Sequence, residues 1–179
     1  MSNIRPFEEF EPLIDDSAWV DPAAIVIGNT KIGKNSSVWP LVTIRGDIHE
    51  IRIGESTNIQ DNSVLHVSHD SQYHPGGAGL YIGNGVTVGH QVTLHGCTIE
   101  DYCLIGMSSV IMDHAVLENH VMIGAGSLVT GGTTLKSGFL YVGRPVKKLR
   151  KLTDQERQYL EYSAGHYVKL AARHRKSAQ

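Results

Sequence analysis

A chain of 179 residues, 41% hydrophobic and 19% charged, is long enough for one domain with a sizeable core and too poor in charge for a disordered tail protein. Its net charge of −2 argues against a nucleic-acid partner, which usually calls for basic excess. The longest apolar run is five residues, Ala23 to Ile27, where a spanning helix needs about 20. The N-terminus, MSNIRPFEEFEP, has neither a basic stretch nor an apolar one of the secretory kind. The expectation is a cytoplasmic protein with no membrane partner, and two cysteines cannot make a disulfide framework.

From Val26 onward the chain repeats every six residues. Val26, Ile32, Val38 and Ile44 open the series, and Ile53, Ile59 and Leu65 resume it. Ile82, Val88 and Leu94 follow, then Ile99, Ile105, Ile111, Leu117, Ile123, Val129 and Leu135. Two residues ahead of each lies a second column, small or short-branched at almost every step, including Ala24, Ser36, Thr57, Cys97, Cys103, Ser109 and Ser127. Six is not a helical period and strict two-residue alternation is absent, so a bundle or a sandwich is disfavoured. The pattern predicts an all-β solenoid, a parallel sheet coiled so that each hexapeptide supplies one short strand and one corner. Both cysteines stand in the small-residue column and read as structural.

The register breaks in three places. Three residues are extra between Ile44 and Ile53, and one is missing between Leu94 and Ile99. Between Leu65 and Ile82 eleven are extra, roughly His69 to Gly79 (HDSQYHPGGAG). A loop of that length protruding from a solenoid is commonly functional. After Leu135, Val142-Gly143-Arg144-Pro145 reads as an exit turn. Thr153 and Glu156 form a capping box, and Leu160, Ala164, Tyr167, Val168 and Ala171 make one helical stripe. The expectation is a single domain: coil over about 18–142, exit turn over 143–152, and a helix over 153–174 lying back along the coil.

The repeat also places the histidines. Ile44, Leu65, Leu94, Ile111 and Val129 are successive rungs of one face, so the residues after Leu65 and Leu94 point outward as neighbours. Adjacent parallel strands are about 4.8 Å apart, which sets His66 beside His95, with Arg45 one rung away. Such imidazoles can share a divalent ion. His90 lies on the preceding face, one coil from Asp61 and near Gln60. Arg45, Asp47, Gln60, Asp61, His66, His90 and His95 thus gather near one level of the prism. Imidazoles on different faces diverge, so one chain has difficulty aiming all three at one ion. His49, His114, His120 and His174 read as ordinary surface histidines, while His69, His74 and His166 are left open.

At these residues the sequence resembles the gamma-class carbonic anhydrases, a branch of the hexapeptide-repeat superfamily. The stretches that carry the resemblance are SSVWPLVTIRGD (36–47), IGESTNIQDNSVLHV (53–67), VTVGHQVTLHGC (86–97), VMIGAGSLVT (121–130), VGRPVKKLR (142–150) and SAGHYVKLA (163–171). The resemblance implies a left-handed parallel β-helix with a C-terminal α-helix packed along it, assembled as a homotrimer. It implies a metal held by His66 and His95 of one subunit and His90 of the next. Zinc suits three nitrogens and an open position, and Fe2+ or Co2+ would fit nearly as well. It further implies interface ion pairs from Arg45 and Asp47, bicarbonate binding by Arg45, and orientation of the attacking water by Gln60. Asp61 would support the site, and Tyr167 matches a helix tyrosine that reaches the metal pocket in some members.

The implied activity is reversible hydration of carbon dioxide to bicarbonate. The 69–79 loop lacks the glutamates that export protons in active members and offers His69, Asp70 and His74 instead, so turnover is expected to be weak. Two other readings fit a hexapeptide protein. One is a metal-binding scaffold without this turnover, and the other an acyltransferase using acyl-coenzyme A.

Overall fold

The structure, a computed structural model, describes residues 2–177. It is a left-handed parallel β-helix of about eight turns carrying one C-terminal helix. All seventeen aliphatic rungs are in the core, none more than 4% exposed. Burial of branched aliphatic side chains in one continuous column holds the coil together, at roughly 25 cal/mol for each Å² of apolar surface removed from water.

The second column closes the corners. Ser36, Thr57, Ser63 and Ser109 are buried, and each hydroxyl donates to a glycine carbonyl of the next coil, at Gly54, Gly83, Gly89 and Gly124. The same oxygens accept backbone N–H groups from Thr57, Val86, Val92 and Ser127. Cys103 substitutes in this role, its thiol donating to the Glu118 carbonyl. Burial pushes both thiols up to about 12, which leaves Cys97 and Cys103 without nucleophilic character.

The strand register agrees with the rung assignment. Ile44 pairs with Leu65, Leu65 with Leu94, Leu94 with Ile111 and Ile111 with Val129, forming the face called here the first face. Each register break has a physical form. The three extra residues after Ile44 lie inside one strand, Thr43–Ile53, whose register against Ile25–Ile32 jumps by three between the Gly28–Gly46 and Thr30–Ile51 pairs. The missing residue after Leu94 becomes a one-glycine corner at Gly96, with φ +51°. A Cβ there would stand 2.6 Å from both the Ala78 Cβ and Asp113 Oδ1.

The 69–79 excursion folds on itself. Ser68 and Ala78 exchange backbone hydrogen bonds of 3.0 and 2.9 Å at its base, and Ser71 and His74 exchange two more near its tip. Its base therefore lies over the Gly96 corner, where the coil has been shortened to receive it.

Both ends carry more sheet than the repeat count alone indicates. Ile4–Arg5 and Leu13–Ile14 add parallel strands beside Ile25–Ile32. The exit segment is a hairpin, Phe139–Gly143 against Val146–Lys151, around the Arg144-Pro145 turn. The capping box is present: Thr153 Oγ1 accepts the Glu156 N–H at 3.2 Å and Glu156 accepts the Thr153 N–H at 2.9 Å. The helix runs Asp154–Ser177 and buries Leu160, Ser163, Ala164 and Ala171. It lies on the third face, against the strands Trp19–Val20, Ser37–Val38, Asn58–Ile59 and Thr87–Val88. His174 is exposed, as expected of a surface residue, and its ring lies against both Trp19 and Trp39 at centroid distances of 5.3 and 5.1 Å.

Candidate metal centre

His66 and His95 are register partners on the first face. His66 Nδ1 faces His95 Nε2 at 3.1 Å. Two nitrogens bound tetrahedrally at about 2.0–2.1 Å from zinc stand about 3.3 Å apart, so this spacing fits a shared ion. Behind each ring lies a carboxylate. Asp47 Oδ1 is 3.1 Å from His66 Nε2, and Asp113 Oδ1 bonds His95 Nδ1. A carboxylate on one ring nitrogen keeps the proton there and frees the other nitrogen as a ligand.

The electrostatics favour a neutral His66 and ionised Asp47 and Asp113. Burial pushes His66 below its ordinary value, against the pull of Asp47 and with help from the Arg45 charge. Burial alone would raise Asp47, but hydrogen bonds from Arg45 and His66 outweigh it and hold the carboxyl below the usual range. Asp113 follows the same logic, burial being outweighed by His95 and by the Ser68 hydroxyl, which donates to Oδ2 at 2.7 Å. Neutral imidazoles and ionised carboxylates are what metal binding requires.

His90 stands at the other edge of the face, on the corner entering it. Its Nδ1 is 2.9 Å from Asp61 Oδ2, so the carboxylate pattern occurs a third time, and its side chain is 47% exposed. Among the described residues no group of three or more His, Cys, Asp or Glu side chains is arranged to hold one metal ion. Gln60 is buried under the helix, its Nε2 donating to Asn58 Oδ1 at 3.0 Å. Asn58 in turn donates to Thr87 Oγ1, which bonds Ser163 of the helix. Tyr167 is half-buried against Trp39; burial, with the charges of Tyr159 and Asp61, raises its hydroxyl, which stays protonated.

The residues read from the sequence thus fall into two groups. Arg45, Asp47, His66 and His95 share one edge, with Arg45 bonded to Asp47 at 2.5 Å within the chain. Gln60, Asp61, His90 and Tyr167 share the other. In the loop, His69 and Asp70 are exposed, and Asp70 Oδ1 accepts the Gly76 N–H at 2.7 Å. His74 turns back onto His114. Sequence reasoning missed Asp113 and Ser68. Asp113 follows Met112, which is exposed on the same face, and its one signal was a carboxylate one coil beyond His95.

The fold defines a hexapeptide-repeat protein. The hexapeptide family described as "Bacterial transferase hexapeptide (six repeats)" matches residues 96–131. Among solved structures, a hexapeptide transferase family protein from Anaplasma phagocytophilum superposes with TM-score 0.87 at 42% identity, covering 96% of this chain and 98% of that one. Protein YrdA of Escherichia coli is 51% identical over 93% of this chain and 90% of its own length. A carbonic anhydrase of Geobacillus kaustophilus is 38% identical over 92% of this chain and 87% of its own length. The mitochondrial gamma carbonic anhydrase 2 of Arabidopsis thaliana is 45% identical over 91% of this chain, which spans 58% of that longer protein. The chain belongs to the gamma-class carbonic anhydrase family. No helix among the described residues is long and apolar enough to cross a membrane.

Proposed function

We propose that the protein catalyses metal-dependent, reversible hydration of carbon dioxide to bicarbonate, as a homotrimer with its centres between subunits. The observation that carries this reading is the threefold carboxylate–imidazole pattern: Asp47 behind His66, Asp113 behind His95 and Asp61 behind His90. The donor set, neutral imidazoles with one nitrogen free, suits Zn2+, with Fe2+ or Co2+ as alternatives. His66 and His95 of one chain and His90 of the next would hold the ion. When bound, such a cation supplies the Lewis acidity that makes water a nucleophile near neutral pH.

The chain's own residues supply the rest. Gln60, held by Asn58, orients the attacking water with an amide that carries no charge of its own. Arg45, held by Asp47, presents a guanidinium to the bicarbonate anion. Asp61 fixes the His90 ring. The excursion's His69, Asp70 and His74 would carry the proton outward. Trimer assembly is supported by apolar side chains exposed beside the histidines on the first face, Val64 at 43% and Met112 at 45%.

The test is metal analysis of anaerobically purified protein with carbon dioxide hydration measured on the same sample. Hydration proportional to metal content supports the reading; metal-replete protein without hydration overturns it in favour of a metal-binding scaffold. The transferase description of the Anaplasma relative makes coenzyme A titration a useful second measurement, since an acyltransferase would bind it.

A further inference from the structure

The carboxylate of Asp113 has two sides. Oδ1 bonds His95 of the first centre, and Oδ2 lies 3.9 Å from Nδ1 of His74 in the excursion. His74 then points its Nε2 directly at Nε2 of His114, 2.5 Å away, with ring centroids 4.7 Å apart and planes at 74°. The first centre has a similar facing pair, His95 Nε2 toward His66 Nδ1, although there Asp113 bonds the His95 ring, whereas it only lies near His74.

Both rings are carried on well-held backbone. His74 is fixed by paired bonds with Ser71 and by the Gly77 N–H donating to its carbonyl at 3.0 Å. Gly77 lies in left-handed backbone, and a Cβ there would meet the Ser68 carbonyl at 2.5 Å. His114 occupies a left-handed corner of the coil, φ +60°, its N–H bonded to the Gly96 carbonyl. Histidine is one of the few side chains enriched in that conformation, which accounts for the residue but not for the aim of its ring.

Two facing ring nitrogens cannot both carry protons, so at least one of them turns a lone pair toward the other. The 2.5 Å separation is shorter than an ordinary N–H hydrogen bond of about 2.9 Å. Rotation of the exposed His114 ring opens it to the spacing of about 3.3 Å that two nitrogens on one metal need.

We propose that His74 and His114 form a second site, for a nitrogen-preferring transition-metal dication, separate from the centre at His66 and His95. Two imidazoles leave the remaining positions to water, so the site is weaker than the first. Occupation ties the 69–79 excursion to the coil beside the first centre, through the carboxylate that also supports His95.

Calorimetric titration with Ni2+ tests the proposal. The background is His66→Ala/His90→Ala/His95→Ala, which removes the first centre and makes the outcome independent of the proposed hydration activity. One equivalent of Ni2+ should bind, and adding His74→Gln or His114→Asn should weaken it at least tenfold; asparagine tolerates the left-handed corner. Ni2+ should also slow hydrogen exchange over 69–79 only where both histidines are present. If the triple variant does not fold, the parent protein serves, and its saturating stoichiometry should fall by one dication per chain on His74→Gln. Ni2+ binding that ignores both substitutions, or no binding outside the first centre, overturns the site.

Discussion

The two edges of the first face are built differently. At the edge where strands leave the face, His66, His95, Asp47, Asp113 and Arg45 form one dense, partly buried network. At the edge where strands enter, His90 has Asp61 and a largely open surface, while Gln60 is buried beneath the helix. The first edge is pre-organised because adjacent coils stack equivalent residues at the spacing a shared ion needs. The second offers an exposed imidazole backed by Asp61 and a buried amide, the other half of the proposed site. A prism directs side chains at its two edges apart, which is why the proposed centre takes His66 and His95 from one chain and His90 from a neighbour packed against the face.

The strongest way to break this comparison is to separate the edges genetically. His66→Ala and His90→Ala chains should each form trimers lacking the centre. Unfolded and refolded together, every mixed trimer should regain one complete site, because cyclic symmetry joins an intact first edge to an intact second edge once. Metal content that stays at the level of the separate variants, despite proven subunit exchange, would refute the division between chains.

Asp113→Asn sharpens the account of the dense edge. The amide loses the charge that sets the His95 tautomer, so metal affinity should fall about 10–100-fold with little change in Tm. Nitrogen-15 shifts of the His95 ring report the tautomer directly, and an unaltered ring with unaltered affinity would make Asp113 a packing residue only. Gln60→Ala probes the other edge. Turnover should drop on the order of tenfold while metal content holds, if the amide orients water without ligating. Equal losses of metal and activity would assign Gln60 to the structure of the site.

Hydration should rise several-fold with buffer concentration, because the excursion offers His69, Asp70 and His74 where active relatives are expected to carry glutamates. A buffer-independent rate would show that these groups already export protons fast enough, or that another step is slow.

The smallest effect concerns acid. His66 has its folded value pushed down by burial, so between that value and about 6.5 the unfolded chain binds more protons. Stability of metal-free protein should therefore rise with pH through that window and level off above it, by no more than a degree or two in Tm. His66→Gln should remove the slope. Asp47 and Asp113 act at lower pH: their lowered values mean that their contribution is present above about 4 and lost as pH falls through the folded values.

The solenoid, its face assignments, the His66–His95 pairing and the His90–Asp61 pairing were all legible in the sequence. Each depends on the repeat, in which a residue's surroundings are set by its neighbours one coil away, so a period in the chain becomes an address in space. The extra strands at Ile4–Arg5, Leu13–Ile14 and Val146–Lys151 have no hexapeptide signature and were decided by the open edges of the coil they cover. The same holds for the network behind His95. Ser68 reaches Asp113 across 45 residues, and His74 reaches His114 across 40, because the excursion folds over a corner shortened to a single glycine. No period links those positions; only the path of the loop over Gly96, where any Cβ would collide with Ala78 and Asp113, brings them together.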